Sequence, residues 1–195
     1  MDTSFEDQLH FGDEGEDQTK RFMLAYWDYA IIHTSKIQNT IGKGARLDLP
    51  SLCTRTKVPI PDFLCIKFAH SKKSFFNLPR FFFMDLKTKR KADYYRNRGR
   101  WETGMDARCR QNYLNAESAT GVPTYAFHLI YPTPVTAMDA QRVPPDKRPA
   151  PTGLFGCPVS QHPNEYKGMV YWGLEEMMYL ATLEEVSSIS KGESV

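Results

Sequence analysis

Residues 80–88, RFFFMDLKT, constrain the fold of this chain more than any other short segment. A short run of aromatic and aliphatic residues bounded by turn-prone sequence is typical of a buried strand. Asp85 and Lys87 stand two positions apart in this run, so in a strand their side chains share one face. Burying such a polar pair costs free energy unless the two groups have each other or a metal ion as partners. The segment therefore predicts a buried strand whose Asp85 and Lys87 side chains form part of a functional site.

Two more strands are predicted around it. Residues 62–69, DFLCIKFA, have the same short apolar character, and Asp62 stands at their start. Residues 124–131, TYAFHLIY, predict a third strand that is buried on at least one face. Residues 37–61 are rich in glycine and proline, and we assign them loops and one further strand.

Helices are predicted at three places. Residues 17–32 have apolar residues at helical spacing after a polar first turn, which places Glu16 in or beside the start of a first helix. Residues 93–120 contain many helix formers and no proline, which predicts a second helix. Residues 174–186, LEEMMYLATLEEV, predict an amphipathic helix that covers one side of the sheet.

The C-terminal third is interrupted by proline. Residues 132–163 hold eight of the 13 prolines, and proline neither continues a helix nor donates to a strand ladder. This segment is predicted to be an extended surface loop. A chain of 195 residues is long enough for one good core, so we expect a single domain. Its core would span residues 12–131, followed by a Pro-rich loop at 132–165 and a C-terminal extension at 166–190.

Charge is distributed unevenly along the chain. Residues 87–110 contain nine Lys and Arg against three acids, a net charge of +6, with Tyr94, Tyr95 and Trp101 among them. Cations interleaved with aromatic rings suit a polyanion whose bases can stack, although a charge run is often simply a solvated surface. The cations nominated for contact with nucleic acid are Lys89, Arg90, Lys91, Arg96, Arg98 and Arg100.

The sequence also bears on location. No stretch approaches the roughly 20 apolar residues that a membrane span requires. Residues 2–17 hold seven acids and no Lys or Arg, unlike the basic start of a secretory signal. We therefore expect a cytoplasmic protein that does not bind membranes.

Asp62, Asp85 and Lys87 together satisfy the minimum for phosphodiester hydrolysis. The reaction needs charge stabilisation on the phosphate and a polarised water, which a divalent ion held by carboxylates and a nearby lysine can supply. Mg²⁺ takes only one or two protein carboxylates, so two aspartates and a lysine are enough.

The same residues resemble a known signature. Pro61-Asp62, a gap of 22 residues, and Asp85-Leu86-Lys87 resemble the PD-(D/E)xK motif of the restriction-endonuclease-like nuclease superfamily. The resemblance covers roughly residues 12–131. It implies an α/β fold with a helix, a mixed central sheet of about four or five strands and a second helix, to which the Pro-rich loop and C-terminal helix are appended.

The resemblance also implies a set of site residues. Asp62, Asp85, Lys87 and Glu16 would be catalytic, because the family often has a glutamate on its first helix. The backbone carbonyl of Leu86 would join the three acids in binding Mg²⁺, for which Mn²⁺ could substitute. Gln111 resembles a glutamine that many members carry on the helix after the lysine strand, and we assign it to nucleic-acid contact.

The function implied is a Mg²⁺-dependent nuclease. DNA is the expected substrate because most of the family acts on it, and RNA is not excluded. Alternatives are a DNA exonuclease, a resolvase of branched DNA that cuts as a homodimer, and a non-catalytic nucleic-acid-binding protein with a nuclease-like core. Asn115 stands four residues after Gln111 where one exonuclease branch has tyrosine, which disfavours that branch.

Overall fold

The computed structural model describes most of the chain. The described residues are 5–34, 48–50, 57–68, 78–133 and 136–188. Much of the predicted loop region 37–61 therefore lies outside the described residues, as does the segment 69–77 that links the first two predicted strands.

The elements follow one another in mixed α/β order. The helices are α1 (Phe5–Trp27), α2 (Ala107–Thr120), α3 (Ala137–Arg142) and α4 (Leu183–Ser188). The strands are β1 (Tyr29–His33), β2 (Asp48–Pro50), β3 (Lys57–Pro59), β4 (Phe63–Lys67), β5 (Phe81–Lys89), β6 (Asp93–Tyr95), β7 (Arg100–Asp106), β8 (Thr124–Ile130), β9 (Gly153–Pro158), β10 (Asn164–Tyr166), β11 (Met169–Gly173) and β12 (Met178–Ala181). Single turns of 3₁₀ helix occur at Pro145–Lys147 and Leu174–Glu176.

A mixed sheet of six strands forms the centre, in the order β1-β4-β5-β8-β9-β12. Its neighbours are antiparallel except β5 and β8, which are parallel, with α2 in the connection between them. A parallel pair needs such a crossover, because a tight turn can only reverse the chain. The predicted strands 62–69, 80–88 and 124–131 are confirmed as β4, β5 and β8.

The central sheet is covered on both faces. On one face Phe22, Met23 and Trp27 of α1 join a buried cluster with Phe82 and Phe127 of the sheet. On the other face, α2 and a second sheet of order β10-β11-β7-β6 enclose another buried cluster. The predicted mixed central sheet flanked by helices is confirmed, with six central strands instead of four or five.

The second predicted helix is only partly correct. Residues 93–106 form β6 and β7, and helix α2 begins only at Ala107. A turn with Gly99 at a φ of +64° separates the two strands, a conformation that suits glycine. Asp106 starts the helix by accepting the backbone N–H groups of Arg108 and Cys109 through its side chain.

The prediction of a surface loop over residues 132–163 is wrong for its second half. Residues 153–158, GLFGCP, form β9, which pairs with β8 and β12 inside the central sheet. The prolines lie outside this strand or at its last position, so none interrupts its ladder. Residues 137–142 form the short helix α3.

The predicted helix at 174–186 is also wrong in most of its length. Met178–Ala181 form the edge strand β12, and only Leu183–Ser188 are α-helical. Pairing with β9 buries Leu180 and Ala181. Long-range pairing therefore overrides a local apolar spacing that favours a helix.

None of the helices in the described part of the chain is long and apolar enough to cross a membrane.

The first helix differs at both ends from the prediction. It begins at Phe5 instead of residue 17 and stops at Trp27, because Asp28 adopts a left-handed φ of 56° before β1. Two glycines, Gly12 and Gly15, lie inside it, although each costs about 1 kcal/mol in a helix interior. Glu16 consequently lies in the middle of α1 and not in its first turn.

Candidate active site

Asp62 and Asp85 lie on neighbouring antiparallel strands. The ladder between β4 and β5 ends at the pair Phe63–Met84, so Asp62, one residue before β4, continues that register opposite Asp85. Opposed residues of an antiparallel pair project from the same face of a sheet. Burial raises the pKa of Asp62, and the negative charge of Asp85 raises it further.

Lys87 completes the predicted Asp-x-Lys pair. Its Nζ lies 2.9 Å from Oδ1 of Asp85, with the Asp85 side chain fully buried and that of Lys87 39% exposed. Burial alone would lower the pKa of Lys87, but attraction to Asp85 and the hydrogen bond to it raise that pKa above its ordinary value. The lysine therefore connects a buried carboxylate with solvent.

Tyr113 is a site residue that the sequence interpretation missed. It lies on α2, and its phenol donates a hydrogen bond of 2.8 Å to Oδ1 of Asp85. Burial and the charge of Asp85 raise its pKa, so the phenol keeps its proton. Tyr113 and Ala116 are the buried residues of α2, and their i, i+3 spacing was the available signal that this face of α2 turns inward.

The second oxygen of Asp85 distinguishes this site from an ordinary ion pair. Oδ2 is buried and has no hydrogen-bond partner among the residues that the structure describes. A buried carboxylate oxygen without a partner is costly, and a metal ion is one of the few groups that can satisfy it.

The donor set is consistent with a hard divalent ion. Within the described ranges, no group of three or more His, Cys, Asp or Glu side chains is arranged to hold a metal ion. Mg²⁺ commonly takes one or two carboxylates and keeps several waters, so Asp62 and Asp85 suffice in number.

Glu16 is held beside this site by the packing of α1 on β5. A Cβ on Gly15 would overlap the side chain of Thr88, and Thr88 Oγ1 donates a hydrogen bond of 3.3 Å to the Gly12 carbonyl. Burial raises the pKa of Glu16; the charge of Asp62 also raises it, whereas the charges of Lys20 and Lys87 lower it. The glycine thus lets α1 approach closely enough for Glu16 to interact electrostatically with the aspartate and the lysine.

The nominated nucleic-acid residues fall into two groups. Arg98 and Arg100 are held by the fully buried Glu102, with contacts of 2.6 to 2.8 Å, and so balance a buried charge. Arg98 is nevertheless exposed. In the second group Lys89 is half-buried and the others are exposed, and these are Arg90, Lys91, Arg96 and Gln111.

Arg90 and Gln111 contact neighbouring side chains. The Arg90 guanidinium lies 4.8 Å from the ring centre of Phe11. The Gln111 side-chain amide on α2 donates to Asn115 at 3.1 Å and is exposed, whereas Asp85 on β5 is fully buried.

His128 lies in the interior on β8. It is fully buried, and its Nδ1 lies 3.1 Å from Oγ1 of Thr103. Burial lowers the pKa of His128 to about 3, and the charges of Lys89 and Lys87 act in the same direction. The imidazole is therefore neutral near pH 7.

Comparisons with known proteins find similarity among solved structures. No protein-family model matches the chain, and no curated protein matches it. Among solved structures, it is similar to Hjc from Archaeoglobus fulgidus, a Holliday junction resolvase from an archaeal hyperthermophile. The TM-score is 0.47 and the identity 11%, over 87% of this chain and 97% of the other.

Proposed function

We propose that this chain is a metal-dependent nuclease that hydrolyses phosphodiester bonds of DNA. The observation that carries the proposal is the environment of Asp85. One of its oxygens is held by Lys87 and Tyr113, and the other is buried without a partner among the described residues. Such an arrangement orients a carboxylate and leaves one oxygen to bind a cation.

Mg²⁺ would be held by Asp62 and Asp85, with the Leu86 carbonyl as a further ligand, and Mn²⁺ would substitute because the ligands are oxygens. Among the described residues Glu16 does not form a three-acid group with the two aspartates, so it would act on the ion through one of the waters that Mg²⁺ retains. When bound, the ion would polarise the attacking water and neutralise charge on the phosphate. Asp85 is the central ligand in this assignment, since it contacts both Lys87 and Tyr113.

Lys87 and Tyr113 have different roles in the proposed mechanism. Lys87 would place its ammonium against a phosphate oxygen and stabilise the negative charge that grows in the transition state. Its partial exposure supports this role, because a substrate can reach it from solvent. Tyr113 would be a positioning residue that keeps Asp85 oriented through the phenol hydrogen bond.

The test is incubation with linear duplex, circular duplex, single-stranded and branched DNA, and with RNA, in Mg²⁺, Mn²⁺ or EDTA. We expect cleavage with either ion and none in EDTA. Cutting of circles would identify an endonuclease, and paired cuts in branched DNA would support the dimeric resolvase. Binding to these substrates without any cutting would refute the proposal and favour a non-catalytic nucleic-acid-binding protein.

Tyr113→Phe should slow cleavage by roughly 10- to 100-fold, because a hydrogen bond to a charged group is worth about 1.5 to 3 kcal/mol. The apparent affinity for Mg²⁺ should weaken as well, since Asp85 loses one of the groups that orient it. Both quantities are measured from cleavage rates over a series of Mg²⁺ concentrations.

The control for this variant is Tyr125→Phe. Tyr125 is also buried, but it belongs to the core cluster on the α1 face of the sheet. An unchanged Mg²⁺ dependence in Tyr113→Phe, equal to that of the control, would show that the phenol has no positioning role.

A further inference from the structure

A cavity separate from the Asp85 site opens beyond the end of β5. Its volume is about 550 Å³, within the range of small-ligand pockets. Lys91 and Ala92 form part of its wall, and they follow β5 directly. Four residues of extended chain span roughly 13 Å, so the cavity lies within a few nucleotides of Lys87.

The charged residues of the cavity favour an anion. Lys91, Arg142 and Arg148 line it together with one acid, Asp93. Arg148 is held in place because its Nε donates to the Val143 carbonyl at 2.9 Å. Lys91 and Arg142 are both exposed, so solvent reaches this wall of the cavity.

The aromatic residues of the cavity favour a planar ligand. Trp101 and Tyr94 line it and meet edge to face, with ring centres 5.2 Å apart. An edge-to-face contact occupies only one face of one ring, which leaves ring surface for stacking. The indole N–H of Trp101 donates to the Lys147 carbonyl at 2.8 Å and so fixes the orientation of that ring.

We propose that this cavity binds one unpaired nucleotide of the substrate strand, with its base against Tyr94 and Trp101 and its phosphate at Lys91 and Arg142. A base offers a flat ring and a phosphate offers the negative charge, which is the combination that the walls select. Binding an unpaired nucleotide this close to Lys87 would give preference to single-stranded or branched substrates. This inference rests on the proposed nuclease function for its link to cleavage.

The binding test uses the wild-type protein in EDTA, so that it does not depend on cleavage. Trp101 lines the cavity, whereas Trp27 and Trp172 are almost fully buried in the cores. A deoxynucleoside monophosphate and a short single-stranded oligonucleotide should therefore quench the fluorescence of Trp101, and the oligonucleotide should bind more tightly. Inorganic phosphate and the nucleoside alone should bind at least about tenfold more weakly than the monophosphate, since each lacks one of the two contacts.

Arg142→Ala should weaken binding of the oligonucleotide about tenfold, as expected for the loss of one charge-assisted contact. The matched control is Arg80→Ala, because Arg80 is also exposed but precedes the opposite end of β5. Trp101→Phe should remove the quenching. If neither nucleotide nor oligonucleotide quenches, if Arg142→Ala behaves like Arg80→Ala, or if the free nucleotide binds more tightly than the strand, the proposal is overturned.

A cleavage assay then links the cavity to the substrate. Arg142→Ala should slow cutting of DNA that has an unpaired segment beside the cut at least about tenfold more than it slows cutting of fully paired duplex. Equal slowing of both substrates would overturn the link. If the protein binds nucleotides but cuts nothing, the nuclease proposal fails while the nucleotide site stands.

Discussion

Asp85→Asn is expected to reduce metal-dependent cleavage by roughly 10³-fold or more. Losing one preorganised electrostatic contact typically costs about 10² to 10³ in rate. Asp85 is the proposed metal ligand as well as the partner of Lys87. Asn keeps the shape of the side chain and one oxygen that can still accept the Tyr113 hydrogen bond. The rate is measured under single-turnover conditions at saturating Mg²⁺.

A second measurement separates metal binding from folding. A ligand that binds the folded state raises the melting temperature, so Mg²⁺ should stabilise the wild type and not Asp85→Asn. Asp146→Asn is the control, since Asp146 is exposed and remote in sequence from the site. Cleavage by Asp85→Asn within tenfold of the wild-type rate would remove Asp85 from the mechanism.

Lys87→Ala is expected to slow cleavage by about 10² to 10³ while DNA affinity falls only modestly. The variant removes one positive charge among the nine between residues 87 and 110, but it removes the charge placed beside Asp85. Binding should survive and cutting should fail. Cleavage rate and DNA affinity are measured side by side at one salt concentration, because phosphate contacts depend on salt.

Lys89→Ala provides the control for that experiment. Lys89 lies two residues further along β5, with a side chain that is partly buried and a pKa lowered by that burial. It carries no hydrogen bond to Asp85 among the contacts described. If the two alanine variants slow cleavage equally, Lys87 is only one more cation near the phosphate, and the mechanism loses its central lysine.

Lys87→Arg tests geometry in place of charge. It retains the cation beside the fully buried Asp85, so it avoids leaving that carboxylate without a partner. A planar guanidinium does not place its charge where an ammonium does. We therefore expect a folded protein with DNA affinity near the wild-type value and slower cleavage, and circular dichroism with thermal melting checks the fold.

Some features follow from local sequence and were predictable. Short apolar runs form β4, β5 and β8, and the two-residue periodicity of a strand places Asp85 and Lys87 on one face whatever surrounds them. The side chain of Asp106 caps the start of α2, and the left-handed backbone of Gly121 ends it. The predicted helix over residues 93–120 therefore had the correct end but began too early.

Other features depend on contacts between distant residues, and local patterns cannot reveal them. Strands β6, β7, β9 and β12 exist because each finds a neighbour to pair with, which is why helix-like spacing and proline content misled the prediction there. The same holds for the pairing of Arg98 and Arg100 with the buried Glu102, which ties both guanidinium groups to one carboxylate.

The sequence by itself determined strands β4, β5 and β8 and the Asp85–Lys87 pair, because strand alternation acts over two residues. Only the tertiary structure decided what surrounds that pair. Tyr113 reaches Asp85 from α2, and Glu16 comes near through the close approach of Gly15 to Thr88. These contacts join residues far apart in the chain, and their existence depends on how whole helices pack on the sheet, which no short stretch of sequence specifies.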